Sequence, residues 1–176
     1  MKKIELRALT SKDMETTVRW NNQTDVKFLY AGHPFPVNIE MEYEWYNKVL
    51  RSNVPTTVFG IELISEKKLI GISVLRNINL INRKAEFAIL IGDTEERGKG
   101  YSKAATILTL KFGFDMLGLN KVYLFVQSSN NSAIKLYEKT GFKVEGIFRQ
   151  SVFKNGKYED EIIMSILKEE FVSDSI

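Results

Sequence analysis

A short stretch in the middle of the chain, RGKGYS, has the residue types that bind anionic groups. Gly98 and Gly100 are separated by one lysine, so the chain can turn there with successive backbone N–H groups on one side. Helix formers follow from Tyr101, and the free N–H groups of a helix N-terminus bind phosphate. Basic side chains add positive charge at the same place: Arg97, Lys99 and Lys103. The stretch predicts a phosphate site, and a plain strand-to-helix turn with a solvated basic edge is the alternative.

The spacing of the two glycines excludes the common nucleotide-binding motifs. A P-loop has four residues between its first glycine and the Gly-Lys pair, whereas one residue separates Gly98 from Gly100. The dinucleotide fingerprint requires a third glycine where Lys103 stands, and a carboxylate near the end of the next strand. Neither feature is present, so the anion is not expected to belong to a nucleotide bound in these ways.

Composition limits the classes of protein to which the chain can belong. It has 176 residues, 44% of them apolar, which suits one domain spanning 1–176. The net charge is only +3, and acids and bases alternate, so a dedicated nucleic-acid-binding protein is not expected. There is no cysteine and one histidine, His33, so no metal site is predicted. The N-terminus lacks a signal-peptide pattern and no apolar run reaches membrane-spanning length, which favours a cytoplasmic protein.

Hydrophobic periodicity predicts elements in the order β-α-α-β-β-β-α-β-α-β-β, a mixed α/β domain with helices on a largely antiparallel sheet. Ser11 is the expected N-cap of the first helix, and Gly118 and Gly141 are expected just after the ends of two later helices. Asn155-Gly156 has the type I′ turn signature of a final hairpin. The nearly continuous apolar segment KVYLFVQ predicts a strand buried on both faces.

Two motifs together resemble those of the GNAT superfamily of acyl-CoA N-acetyltransferases. RGKGYS, Arg97 to Ser102, is similar to the family's Arg/Gln-x-x-Gly-x-Gly/Ala motif, with serine at the last, small position. NNSAIKLYEKTGF, Asn130 to Phe142, is similar to the family's Asn-x-x-Ala-x-x-x-Tyr segment followed by Gly-Phe. The order of strands and helices also agrees from Ile4 to Leu167. The resemblance implies the GNAT fold, with acetyl-CoA as co-substrate.

The resemblance also implies roles for particular residues. Backbone amides of Arg97, Gly98, Lys99, Gly100, Tyr101 and Ser102 would hold the pyrophosphate of acetyl-CoA. A backbone N–H among Leu124, Phe125 and Val126 would polarise the acetyl carbonyl. Asn130 would contact the coenzyme arm, Tyr137 would donate a proton to the leaving thiolate, and Glu86 would orient the amine.

Each of these side chains also has a purely structural interpretation. Glu86 interrupts an apolar strand, where an unused carboxylate is costly, but it could face solvent and pair with Arg83 or Lys84. Tyr137 shares a helical face with apolar residues and could be a core tyrosine. Asn130 could be a helix N-cap, and His33, in a loop between glycine and proline, is more typical of a solvated or structural residue than of a catalytic one.

The acceptor is the least determined part of the prediction. The chain looks most like the branch that holds spermidine and ribosomal-protein N-acetyltransferases, so a polyamine ranks first, a protein N-terminus second and an amino sugar third. The acidic runs at 40–44 and 159–161 are solvated faces or attract a polycation. A non-catalytic acetyl-CoA sensor and a nucleic-acid-binding domain are the competing classes, and self-association is expected from the branch.

Overall fold

The computed structural model describes residues 3–29, 35–51, 56–154 and 156–172. The helices are α1 (Met14–Asn21), α2 (Thr24–Leu29), α3 (Ile39–Arg51), α4 (Tyr101–Lys111, continued by a π-helical turn Phe112–Met116) and α5 (Asn131–Lys139). The strands are β1 (Ile4–Ala8), β2 (Thr57–Leu63), β3 (Lys68–Asn79), β4 (Lys84–Ile91), β5 (Lys121–Gln127), β6 (Lys143–Lys154) and β7 (Lys157–Leu167).

The strands form one sheet in the order β1-β2-β3-β4-β5-β7-β6. Every neighbouring pair is antiparallel except β4 and β5, which are parallel. Short connections explain the hairpins, because antiparallel neighbours need only a tight turn, whereas the parallel pair requires the long crossover through α4. The predicted mixed α/β architecture with a largely antiparallel sheet is confirmed.

The two faces of the sheet carry different helices. Phe87 of β4 belongs to the main core, which includes Leu110 of α4 and Tyr137 of α5. Leu90 lies on the opposite side of the strand and packs with Trp20 of α1 and Val26 of α2. Because alternate strand residues point to the same face, Glu86 and Leu90 lie on the α1–α2 side.

Predicted helix ends agree with the structure at several positions. Gly118 and Gly141 have φ of +63° and +96°, the left-handed conformation expected just after a helix. Asn130 caps α5, because its side chain accepts a hydrogen bond from the Ala133 N–H. At the final hairpin Lys154 pairs with Lys157 and Gly156 has φ of +77°, whereas Asn155 lies outside the described residues.

Two predictions about local structure are wrong, and one helix was not predicted. Ser11 is not the N-cap of α1: it lies in a 3-10 turn (Ser11–Asp13), held by the Asp13 carboxylate, which accepts a hydrogen bond from the Thr10 N–H. Helix α2 was not predicted. Strand β5 is buried on one face only, because Tyr123 and Phe125 remain half-buried. His33 and much of its loop lie outside the described residues.

Candidate active site

Strands β4 and β5 separate part of the way along their length. They pair only from Lys84 to Glu86 and from Lys121 to Tyr123, and beyond these residues no pairing between the two strands occurs in the described chain. We call this gap the wedge. Its two edges carry backbone N–H and C=O groups that need partners, and an extended ligand with amide groups can supply them. Sequence reasoning missed the wedge because strand separation leaves no local pattern.

The segment that we call the anion loop, Arg97–Ser102, follows a 3-10 turn (Thr94–Glu96) after β4 and includes the first two residues of α4. Gly98 has φ of +74° and Gly100 has φ of +86°. A Cβ added at Gly98 would meet nothing within 4 Å, so the protein itself leaves that side of the loop open. The first helical hydrogen bond is from the Ala104 N–H to the Gly100 carbonyl, which leaves the preceding amides without a helical acceptor. Amides of this kind can bind an anion, and the pyrophosphate role of the glycines stays a prediction.

Two of the basic side chains of the anion loop form ion pairs that the sequence did not indicate. The Arg97 guanidinium forms an ion pair with Asp25 of α2 and donates through Nε to the Ile91 carbonyl at 2.8 Å. Lys99 pairs with the buried carboxylate of Glu96 at 2.9 Å. The positive charge expected from these two side chains is therefore largely offset by Asp25 and Glu96.

Tyr137 reaches the region where the two strands begin to separate. Its side chain is 7% exposed and packs edge-on against Phe87, with ring centroids 6.3 Å apart. Phe87 follows Glu86, the last residue of β4 that pairs with β5. Burial raises the pKa of Tyr137 to about 12. Its hydroxyl has no hydrogen-bond partner among the described residues, so this donor is available to a ligand.

Asn130 has both the structural role and the capacity for the predicted one. Its Oδ1 accepts hydrogen bonds from the Ala133 N–H at 3.2 Å and from the Ser132 hydroxyl at 3.0 Å. The cap thus uses the carbonyl side of the amide. Its NH₂ group has no partner in the described part of the chain and can donate to a bound molecule.

Glu86 is buried and paired, but not with the residues that the sequence suggested. Its carboxylate accepts hydrogen bonds from Arg76 at 2.9 Å (Nε) and from the Asn77 amide at 2.9 Å. Consecutive strand residues normally point to opposite faces, but β3 has an irregularity after Arg76, and Asn77 adopts φ of +53°. This irregularity lets both side chains reach Glu86. The alternative of a solvent-facing Glu86 paired with Arg83 or Lys84 is wrong.

Aromatic and acidic side chains share the side of the sheet on which Glu86 lies. Residues paired directly across neighbouring strands share a face, and the register pairs Glu86 with Tyr123 and Glu161 with both Gln127 and Phe148. Ring centroids are 5.8 Å apart for Tyr123 and Phe125 and 5.7 Å apart for Phe125 and Phe148. We call this surface the aromatic face: Glu86, Tyr123, Phe125, Phe148 and Glu161.

Sequence reasoning did not assemble the aromatic face. The polar pair Arg76-Asn77 in an otherwise apolar strand was a local indication that an acid lies nearby. No comparable pattern connects Tyr123 with Phe148 or Glu161, because only the strand register brings them together.

The acidic runs behave differently from one another. Glu40 and Glu44 are exposed on α3, whereas Glu42 is buried and accepts hydrogen bonds from Asn21 at 3.1 and 3.3 Å. In β7, the Ser129 hydroxyl donates to Glu159 at 2.6 Å.

The described residues hold neither a metal cluster nor a membrane-spanning helix. They contain no group of three or more His, Cys, Asp or Glu side chains placed to hold a metal ion. Within the same residues, no helix has the length and apolar character needed to cross a membrane.

Comparison with known proteins assigns the class. A family model described as an acetyltransferase (GNAT) domain matches residues 3–143, and the chain belongs to this family. The spermidine N(1)-acetyltransferase of Vibrio cholerae serotype O1 is 36% identical over 172 residues, covering 98% of this chain and 97% of that protein.

Solved structures agree with this assignment. The crystal structure of the V. cholerae spermidine N-acetyltransferase in complex with CoA and spermine has a TM-score of 0.89 at 35% identity, covering 95% of this chain and 96% of that one. A dodecameric structure of the V. cholerae enzyme in an intermediate state has a TM-score of 0.83 at 34% identity, covering 98% of each chain. This chain is therefore an N-acetyltransferase that uses acetyl-CoA, which confirms the predicted fold, enzyme class and co-substrate.

Proposed function

We propose that the acceptor is a polyamine such as spermidine, bound along the aromatic face of a single domain. The observation that carries the proposal is that this face has a buried carboxylate, Glu86, at one end and Glu161 at the other, with aromatic rings between them. Carboxylates pair with ammonium groups, and aromatic faces attract cations.

The dimensions of the face suit a polyamine. Tyr123 lies opposite Glu86 and Gln127 opposite Glu161. These two positions on β5 are about 13 Å apart at a rise of about 3.3 Å per residue. An extended spermidine spans roughly 11 Å between its terminal nitrogens, as a zigzag of nine bonds of about 1.5 Å each. A polyamine that has one end near Glu86 would therefore place its other end near Glu161.

The proposed cofactor contacts divide between the wedge and the anion loop. Acetyl-CoA supplies an acetyl group activated as a thioester. Backbone amides of Arg97, Gly98, Lys99, Gly100, Tyr101 and Ser102 bind its pyrophosphate, and Asn130 donates to its arm. An N–H of Leu124, Phe125 or Val126 donates to the acetyl carbonyl, a contact whose removal typically costs about 10²–10³ in rate.

Glu86 is proposed to orient the attacking amine. Deprotonating an amine of pKa near 10.4 at pH 7 costs about 4.6 kcal/mol, so the site must favour the neutral form or shuttle its proton away. The Glu86 carboxylate has roughly four lone-pair sites, of which Arg76 and Asn77 use only some. The remaining sites can accept N–H donors of the amine and hold its nitrogen near the start of the wedge.

Tyr137 is proposed to donate to the departing sulfur. The pKa of Tyr137 is raised by burial to about 12. A free thiol has a pKa near 8.5, so complete proton transfer from this tyrosine to a thiolate would be uphill by about 5 kcal/mol. Tyr137 therefore acts mainly as a hydrogen-bond donor while the C–S bond breaks and the N–C bond forms. The amine loses one proton as the amide forms, and one proton ends on the sulfur, so that the products are the amide and the free thiol of CoA.

The proposed acceptor is tested with an amine panel and a variant of the distal acid. Thiol release from acetyl-CoA is measured with spermidine, butylamine, a peptide N-terminus and glucosamine. Glu161→Gln is expected to raise KM for spermidine roughly threefold and to leave butylamine unchanged, because only spermidine carries a second charge. Glu169→Gln, an exposed acid outside the aromatic face, is the control. Turnover of the peptide without turnover of spermidine would replace the polyamine with a protein N-terminus.

We also propose that the chain self-associates. The β6–β7 hairpin exposes Phe153 and Tyr158, each 65% accessible, with ring centroids 5.0 Å apart. Exposed apolar surface of this kind is typical of interfaces, and a solved relative is dodecameric. Sedimentation velocity of the purified protein is expected to show an oligomer, and a monomer at micromolar concentration would exclude it.

A further inference from the structure

The side chain of Arg97 connects three parts of the protein at the start of the anion loop. Its Nε donates to the Ile91 carbonyl at 2.8 Å and its Nη2 to the Gly92 carbonyl at 3.4 Å. Its Nη1 pairs with the Asp25 carboxylate of α2. The guanidinium thereby ties the first residue of the loop to Ile91, the last residue of β4, and to Gly92, which follows it.

The anion loop needs contacts of this kind at its ends because two of its residues are glycines. Gly98 and Gly100 lose more conformational freedom on folding than any other residue type would. A Cβ at Gly98 would meet nothing within 4 Å, so no packing at that position holds the loop in place. The orientation of the loop amides therefore depends on how its ends are fixed. Helix α4 fixes the C-terminal end, and Arg97 fixes the N-terminal end.

Asp25, the partner of Arg97, lies on a helix that is packed against the rest of the protein. Val26, next to Asp25, is buried with Trp20 and Leu90. Trp20 also packs so closely on Gly92 that a Cβ there would lie 2.0 Å from its ring. Helices α1 and α2 and the end of β4 therefore form one packed unit, and Asp25 projects from this unit toward Arg97.

We propose that Asp25 is a positioning residue for acetyl-CoA binding, which holds the Arg97 guanidinium so that the loop amides face the pyrophosphate. The inference rests on the pyrophosphate role proposed above. The Asp25 side chain is about half exposed, and exposed ion pairs contribute little to stability. We therefore expect Asp25 to affect the conformation of the anion loop, and to contribute little to the free energy of unfolding.

The test is a double-mutant cycle of Asp25→Asn, Arg97→Gln and the double variant in the full chain. Calorimetry gives the Kd for acetyl-CoA, and kcat/KM is measured with acetyl-CoA and with S-acetylpantetheine, which lacks the pyrophosphate. Asp25→Asn is expected to raise the Kd for acetyl-CoA roughly three- to tenfold and to leave kcat/KM for S-acetylpantetheine unchanged. The double variant should bind no more weakly than Arg97→Gln alone, since Asp25 acts through Arg97.

Asp115→Asn is the matched control, because Asp115 forms an exposed ion pair with Lys111 near the other end of α4. It should leave the Kd unchanged. An unchanged Kd for Asp25→Asn, tighter binding, or equal losses with both thioesters would overturn the inference. Gly100→Val distinguishes failure of the pyrophosphate role from failure of the Asp25 role. If Gly100→Val also leaves the Kd for acetyl-CoA unchanged, the pyrophosphate role of the loop is excluded. If Gly100→Val raises the Kd and Asp25→Asn does not, only the role of Asp25 is excluded.

Discussion

The two regions proposed to bind ligands in this enzyme are built from different kinds of chemical group. The anion loop and the wedge offer mainly backbone N–H and C=O groups, set by two glycines with positive φ and by the separation of β4 from β5. The aromatic face offers side chains from four strands, among them Glu86, Phe148 and Glu161. A backbone site is sensitive to changes of shape, whereas a side-chain site is sensitive to changes of charge. The predictions below test this distinction.

Tyr137→Phe should have the largest effect on rate and little effect on binding. It removes the proposed donor to the leaving sulfur, so kcat is expected to fall about 10²-fold. The Kd for acetyl-CoA should stay the same, because this contact strengthens only as the thiolate forms. Single-turnover kinetics and calorimetry measure the two quantities, with the exposed Tyr158→Phe as the control. A kcat within about twofold of wild type, where chemistry limits the rate, would assign the donor to another group or to water.

Gly100→Val should disable the backbone site. Gly100 has φ of +86°, a conformation that a β-branched residue adopts only under strain. The loop is expected to change shape, and the Kd for acetyl-CoA to rise roughly tenfold or more. Gly156→Val carries the same kind of strain at φ of +77° in the β6–β7 turn, so it should lower the melting temperature without changing the Kd. Equal Kd values for the two variants in folded protein would contradict the role of the loop.

Glu86→Gln should lower kcat/KM for the acceptor amine and leave the affinity for acetyl-CoA unchanged. The amide keeps the shape but loses the charge, and kcat/KM is expected to fall about tenfold for spermidine and butylamine alike. The reason is that Glu86 lies at the start of the wedge, where we propose that the reacting nitrogen binds. Steady-state kinetics with both amines provide the measurement, and unchanged acetyl-CoA affinity is the control. A loss confined to spermidine would move Glu86 from the reacting amine to a second ammonium.

Alkaline pH should have the smallest effect, because Tyr137 keeps its proton. Burial favours the neutral phenol and raises the pKa of Tyr137 to about 12, so the donor is present below that pH and is lost only above it. We expect no decrease in kcat from about pH 8 to about pH 11, although the ordinary tyrosine pKa is near 10. A basic limb near pH 10 in wild type that disappears in Tyr137→Phe would show that the phenol titrates normally.

The chain's sequence was sufficient to predict the local conformation of the candidate site where that conformation depends on neighbours along the chain. The glycine pair, the following helix and the Asn130–Tyr137 spacing lie within short segments, and backbone conformation is decided mainly by such local residues. Both glycines accordingly have positive φ, and Asn130 caps its helix. Apolar patterns and turn signatures likewise predicted every strand of the sheet in the described residues.

Tertiary structure decided which side chains meet. The sequence suggested Arg83 or Lys84 as partners of Glu86, but the irregularity in β3 brings Arg76 and Asn77 to its carboxylate. The pairing of Arg97 with Asp25 joins residues 72 positions apart. The aromatic face, which combines side chains of β5 with side chains of β6 and β7, depends on strand register. Register is set by which faces are buried across the whole sheet, and no segment of the sequence contains that information by itself.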